Sequence, residues 1–236
     1  MKLYQMTCPE NGITYGLTYI DIEQKIDGHL FMFGLDRGDG YERFVVDCNL
    51  HAAAERYEAI PITEAEILKE IFRGDDALMI VGYTETELNW VCELVRKYCF
   101  KVPMPVKYLD AKLGIQKWAS MDKRGVLRNM PPLLVTKKKR NRPGLRSLIS
   151  VARLIDIPVP SDYGYGITSE RFTHASRMLE TRGSFGKLTK VVKGKLTKAM
   201  KHNQFDVETM VKLVGVVYRE RPSILDGAVK PAVFPS

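Results

Sequence analysis

The chain has 236 residues, 45% of them hydrophobic and 27% charged, which suits an ordinary globular protein and excludes wholesale disorder. No apolar run approaches the roughly 20 residues of a membrane helix, and the N-terminus has neither the apolar core nor the cleavage site of a signal peptide. Four cysteines (Cys8, Cys48, Cys92, Cys99) lack zinc-like spacing, so the expectation is one domain, away from membranes, in the reducing cytoplasm.

The net charge of +8 is unevenly placed. Residues 1–136 carry 16 Lys and Arg against 20 Asp and Glu, residues 137–201 carry 16 against 4, and residues 202–236 carry 4 against 4. A block of net +12 is the electrostatic footprint of a polyanion partner, most simply nucleic acid, although a solvated basic surface would also keep the chain soluble.

In chain order, TYGLTYIDIE at 14–23 reads as a strand, apolar on both faces until it ends in Asp21 and Glu23. HLFMFGLD at 29–36 and ERFVVDC at 42–48 read as strands joined through Arg37 to Gly40. Thr63 with Glu66 opens a helix that runs through Phe72, and ALMIVG at 77–82 is a strand buried on both faces. A helix follows over Glu85–Cys99 with the stripe Leu88, Val91, Cys92, Val95, Tyr98, Cys99. PVKYLDA around Tyr108 suggests an edge strand. The pattern then weakens from Lys112 to Pro143, where KKKRNRP at 137–143 reads as an exposed loop. Helices are expected at Gly144–Leu154, near Glu170–Glu180 and from about Thr197 to Arg219. SDYGYG at 161–166 is turn-rich, the segment 183–198 is basic and glycine-interrupted, and the tail after Pro222 is extended. Short turns make the first three strands antiparallel, and helical crossovers favour parallel later strands, giving an α/β mixed sheet with helices on its faces.

Asp21 and Glu23 are two apart on a strand, so both side chains face the same way. Paired carboxylates repel unless a cation lies between them, and oxygen ligands favour Mg²⁺ or Mn²⁺; a solvated strand-end pair is the plain alternative. In HNQFDVETMVKL at 202–213, His202 and Asp206 share a helix face at i and i+4, which an ordinary polar face would also explain.

The combination of YIDIE, VGYTETELNWV and HNQFDVETMVKL resembles the DEDD 3′–5′ exonucleases, whose fold is RNase H-like. The resemblance follows the element order over residues 15–218, with only the short motifs matching. It implies a D-x-E pair on the first strand (Asp21, Glu23), a third acid at the start of the helix after the fourth strand, and a fourth on the last helix (Asp206). Glu87 is the nearest third acid, with Glu85 and Asp110 as rivals, and helix-terminus complementarity is its alternative role. Thr84 stands where the family often has asparagine, and no aspartate follows at the usual offset. His202 stands where one subgroup has tyrosine, four residues before the aspartate.

The resemblance implies a single RNase H-like domain over 1–236, with a basic helical and loop region at 137–201. It implies metal-dependent hydrolysis of single-stranded 3′ ends of DNA or RNA. Asp21, Glu23, Glu87 and Asp206 would hold two Mg²⁺ or Mn²⁺ ions about 4 Å apart, and His202 would orient or deprotonate the attacking water. Lys137, Lys138, Lys139, Arg140 and Arg142 are candidate phosphate contacts or a simply solvated loop. Tyr163 and Tyr165 are candidate base-stacking residues or loop-packing ones. His174 reads as structural or substrate-facing, and His29 and His51 read as surface residues. Two alternatives stay open: a degenerate nuclease fold that only binds nucleic acid or a ribonucleoprotein, and an endonuclease or resolvase.

Overall fold

A computed structural model describes residues 2–25, 27–74, 77–123, 126, 133–136, 139–141, 147–160 and 167–234, with the backbone alone for 133–136 and 139–141. Its centre is β2 (Thr14–Gln24), an eleven-residue strand flanked on both sides. On one side β3 (Leu30–Asp36) and β4 (Tyr41–Val45) follow as antiparallel neighbours, and the short β5 (Ile60–Pro61) adds parallel to β4. On the other side β6 (Leu78–Gly82) lies parallel to β2 and β7 (Val106–Asp110) parallel to β6. β1 (Gln5–Thr7) pairs with the start of β2, and β10 (Val229–Pro231) covers the outer edge of β7 antiparallel. The expected α/β mixed sheet is present, with antiparallel and parallel halves meeting at β2.

Helices cover both faces. α1 (Glu64–Ile71) and α2 (Glu85–Lys97) pack Ile67, Ile71, Val91 and Val95 against Ile20, Phe33 and Ile80 of the sheet. The opposite face meets α3 (Ala111–Asp122), α4 (Leu148–Ala152) and a long α6 (Lys190–Glu220), with Trp118, Val151, Val207 and Val214 against Tyr19, Met79 and Val81. A third apolar cluster joins Phe31, Met32 and Val45 to Phe172 and Leu179 of α5 (Thr168–Arg182) and to Leu196 and Met200 of α6. No helix among the described residues is long and apolar enough to cross a membrane.

Several elements differ from the sequence expectation. α6 begins at Lys190, where the Thr189 side chain accepts a hydrogen bond from the Val192 amide; residues 190–198 of the stretch read as a glycine-interrupted segment form its first turns. Burial of Val192, Leu196, Ala199 and Met200 against α5 outweighs the glycine at 194. The tail is not wholly extended: Pro222 opens α7 (Pro222–Asp226), its fixed φ suiting a first helical turn, and β10 follows. β7 is therefore not an edge. Lys112 to Asp122, which shows little pattern, is within α3, N-capped by Asp110 accepting from the Leu113 amide at 2.9 Å. Within 133–141, β8 (Leu133–Thr136) and β9 (Lys139–Asn141) form an antiparallel ribbon rather than a plain loop. Residues 144–146, where a helix was expected to begin, lie outside the described residues; the described part of that helix starts at Leu148.

Candidate active site

Strand alternation builds the first half of the site. Tyr15, Leu17 and Tyr19 of β2 face the cluster beneath α6, so Asp21 and Glu23, in the same parity, emerge on that face just past the end of the apolar run. Above them α6 places His202, Asn203 and Asp206. The Asn203 amide nitrogen donates to the Asp21 carboxylate at 2.6 Å and to the Asp21 carbonyl at 3.1 Å. The Asn203 carbonyl oxygen in turn accepts from the Tyr41 hydroxyl at 2.6 Å.

Gly34, opposite Asp21 in the β2–β3 register, leaves room for this chain of contacts. A Cβ there would come within 2.1 Å of the Asn203 side-chain oxygen and 2.5 Å of the Tyr41 ring. On the next strand Arg43 pairs with Gly34, sits 5.2 Å from the centre of the Tyr41 ring, and donates to Gln204 at 3.1 Å. Asn203, Tyr41 and Gly34 are absent from the sequence-derived site, yet together they fix the Asp21 side chain.

The carboxylates are in a costly environment. Burial, then the negative charges of Asp206, Glu23 and Glu87, hold the Asp21 pKa well above the usual carboxylate range, against the opposing hydrogen bond from the neutral Asn203 amide. Burial pushes Glu23 up to about 8; the nearby His202 charge opposes this and Asp206 adds to it. His202 Nε2 lies 3.3 Å from the Asp206 carboxylate, as their i, i+4 spacing allows. Residues more than 180 positions apart thus converge on one corner at the end of β2.

Glu87 has two relationships. It is the N3 residue of α2, and its carboxylate accepts from the Thr84 amide at 3.0 Å and the Thr84 hydroxyl at 3.1 Å, a capping box. It is also buried, which raises its pKa to about 6 against the lowering effect of those hydrogen bonds, and its charge acts on Asp21. The rivals are engaged elsewhere: Glu85 is exposed and paired with Lys230, and Asp110 caps α3.

Lys137, Lys138, Arg142, Tyr163 and Tyr165 lie outside the described residues, as do the side chains of Lys139 and Arg140. His51 Nε2 lies 3.0 Å from the Val45 carbonyl, and His174 Nδ1 lies 3.0 Å from the Lys195 ammonium. His29, expected as a surface residue, is half exposed but reaches the buried Asp47 at 2.6 Å. Ser176 also donates to Asp47, at 3.0 Å, so these three residue types do not form a hydrolytic triad. The serine and the imidazole both bind the carboxylate, so the serine proton faces Asp47 and not the imidazole.

Like-charged buried oxygen donors offset by a neutral amide match the donor chemistry of a hard divalent cation. Among the described residues, however, no three His, Cys, Asp or Glu side chains stand close enough together to hold an ion as placed. Comparison of the chain with family models, with curated proteins and with solved structures gives no match.

Proposed function

We propose that this chain is a metal-dependent 3′–5′ exonuclease of RNase H-like fold, hydrolysing phosphodiester bonds of DNA or RNA. The observation that carries the reading is the convergence of Asp21 and Glu23 with His202 and Asp206, in an environment that raises the pKa of both β2 acids. The element order supports it. Three antiparallel strands (β2, β3, β4) are followed by parallel β6 and β7, with acids on the first, on the helix after the fourth, and on a long late helix. The 3′–5′ polarity comes from the DEDD resemblance.

Asp21, Glu23 and Asp206, with Glu87, would hold Mg²⁺ or Mn²⁺, whose Lewis acidity favours ionisation of a water and stabilises the departing 3′ oxygen. The chain's own part is positioning and proton transfer. Asn203 holds one Asp21 oxygen, and Tyr41 keeps the amide from turning over. The His202 imidazole takes the proton of the attacking water, and the resulting imidazolium is stabilised by Asp206 at 3.3 Å. The water oxygen bonds to phosphorus as the bond to the 3′ oxygen breaks, and the departing 3′ oxygen takes a proton from solvent. The products are a nucleoside 5′-monophosphate and a strand shortened by one, ending in a 3′ hydroxyl.

An end-labelled single strand incubated with Mg²⁺, Mn²⁺ or EDTA tests this. Stepwise shortening from the 3′ end with either metal is expected, and closed circles should stay intact. One observation favours a second reading, a nucleic-acid binder without activity: the Glu87 carboxylate is committed to the α2 capping box. Metal-independent binding with no digestion would select it.

A further inference from the structure

α5 and the first turns of α6 line a pocket of about 520 Å³ whose walls include Arg171, Lys190, Lys195 and Lys198, with Glu170 the one carboxylate among the described lining residues. Two exposed aliphatic side chains, Ile167 and Val191, line it as well. A small inorganic anion would use the cations and leave this apolar surface in water. A strand that alternates phosphate with sugar and base uses both.

Gly194 also lines the pocket, inside α6. A Cβ at this position would meet nothing within 4 Å, so neither packing nor a left-handed backbone calls for glycine, although it weakens the helix. A long side chain at this position would project into the space the pocket lining leaves open. Lys195 is held in place: its ammonium lies 3.0 Å from His174 Nδ1. Burial and the charges of Lys195 and Arg177 keep that imidazole's pKa below its usual value, so the neutral ring accepts the hydrogen bond.

The pocket is aligned with the carboxylates. Lys195, His202 and Asp206 are spaced i, i+7 and i+11, and so fall on one side of α6. At 1.5 Å of rise per residue Lys195 lies about 10 Å along the axis from His202.

We propose that this pocket binds the sugar–phosphate backbone of a single nucleic-acid strand whose terminus lies at Asp21 and Asp206, an assignment that rests on the exonuclease reading. The cations supply affinity without reading base identity, and the two aliphatic side chains pack on sugar or base.

Fluorescence anisotropy of a labelled oligothymidylate with the full chain, in EDTA so that no strand is cut, tests the assignment. Lys195→Gln combined with Lys198→Gln should weaken binding about tenfold at low salt. It should also flatten the plot of log K against log salt by about 1.4, or 0.7 for each lost phosphate contact. Gly194→Gln should weaken binding about tenfold while the melting temperature holds or rises, because glutamine is the better helix former. Wild-type affinity in both variants overturns the assignment, as does displacement of the strand by inorganic phosphate as readily as by unlabelled oligonucleotide. The two proposals fail separately. A chain that binds through this pocket but leaves strands uncut with Mg²⁺ and Mn²⁺ overturns only the exonuclease reading. A chain that cuts strands while both variants bind normally overturns only the pocket.

Discussion

Asn203 grips Asp21 twice from across 182 positions of sequence, its amide nitrogen donating to both the side-chain carboxylate and the main-chain carbonyl. The amide can face only one way, because its oxygen is taken by the Tyr41 hydroxyl. A neutral donor so placed stabilises the charged carboxylate without supplying a cation that would compete with a metal.

Replacing that donor with an acceptor should therefore be worse than removing it. Asn203→Leu leaves the Asp21 oxygens and the Tyr41 hydroxyl without this partner and should cost about 1–3 kcal/mol of stability. Asn203→Asp adds a further negative charge beside Asp21 and should destabilise more at pH 8 than at pH 5. Thermal melts of both variants across that range check the ordering; equal losses at both pH values for Asn203→Asp would contradict it.

Gly34→Ala should behave like a site mutation although glycine has no functional group. Its Cβ cannot coexist with Asn203 and Tyr41 as they stand, so α6 or the tyrosine must shift. The overpacking should cost about 1–3 kcal/mol, and hydrolysis should fall more than tenfold. Normal turnover in a stably folded Gly34→Ala would show that Asn203 need not touch Asp21.

The acid pair makes stability depend on pH and on divalent cations in a definite direction. Glu23 has a folded pKa of about 8, above the ordinary glutamate value, so the folded state binds more protons than the unfolded chain between the two. Without metal, its contribution is fully present below the ordinary value and is lost as pH rises through about 8; Asp21 acts in the same sense. Mg²⁺ or Mn²⁺ should raise the melting temperature, and by more at pH 8 than at pH 5. Asp21→Ala should abolish hydrolysis, and in EDTA it should melt no lower than wild type. A melting curve indifferent to Mn²⁺ at pH 8 would remove the metal site.

His202 must be neutral to accept a proton, so the rate should rise with pH through the imidazole range. His202→Ala should lose at least tenfold in rate while Mn²⁺ still raises the melting temperature. His202→Tyr should keep partial activity without that limb of the profile, since a tyrosine stays protonated until about pH 10. Identical pH profiles for wild type and His202→Ala would return this histidine to the helix surface.

Glu87 can be separated into its two relationships by one substitution. Glutamine also serves in a capping box, so Glu87→Gln should leave the melting temperature nearly unchanged. As a metal ligand it should lose more than tenfold in rate. Retained activity in Glu87→Gln, with a lowered melting temperature in Glu87→Ala, would leave it as a cap alone.

The mixed sheet was legible in the apolar runs and their turns, whereas the acids were singled out by the resemblance, since D-x-E and HxxxD alone also fit solvated polar faces. The partners of those acids left weaker marks. Asn203 stands at a buried stripe position with Val207, Met210 and Val214, and a polar residue in such a stripe was the available signal. Gly34, inside the apolar run LFMFGLD, announced a close approach but not its partner. Tyr41 carried no local mark, since its role depends on a helix that arrives 162 residues later. The start of α6 was hidden by lysines and a glycine whose helical state is decided by packing on α5.

The sequence order of the site fixes when it can exist during synthesis. Asp21 is made 182 residues before Asn203, which with Asp206 sits near the middle of a helix that ends at Glu220. A nascent or prematurely released chain lacking α6 presents the paired acids with neither the amide that steadies them nor the acid that completes them. Such a fragment should be inert toward nucleic acid strands, so on the exonuclease reading hydrolysis waits until the middle of α6 has left the ribosome and docked on the sheet.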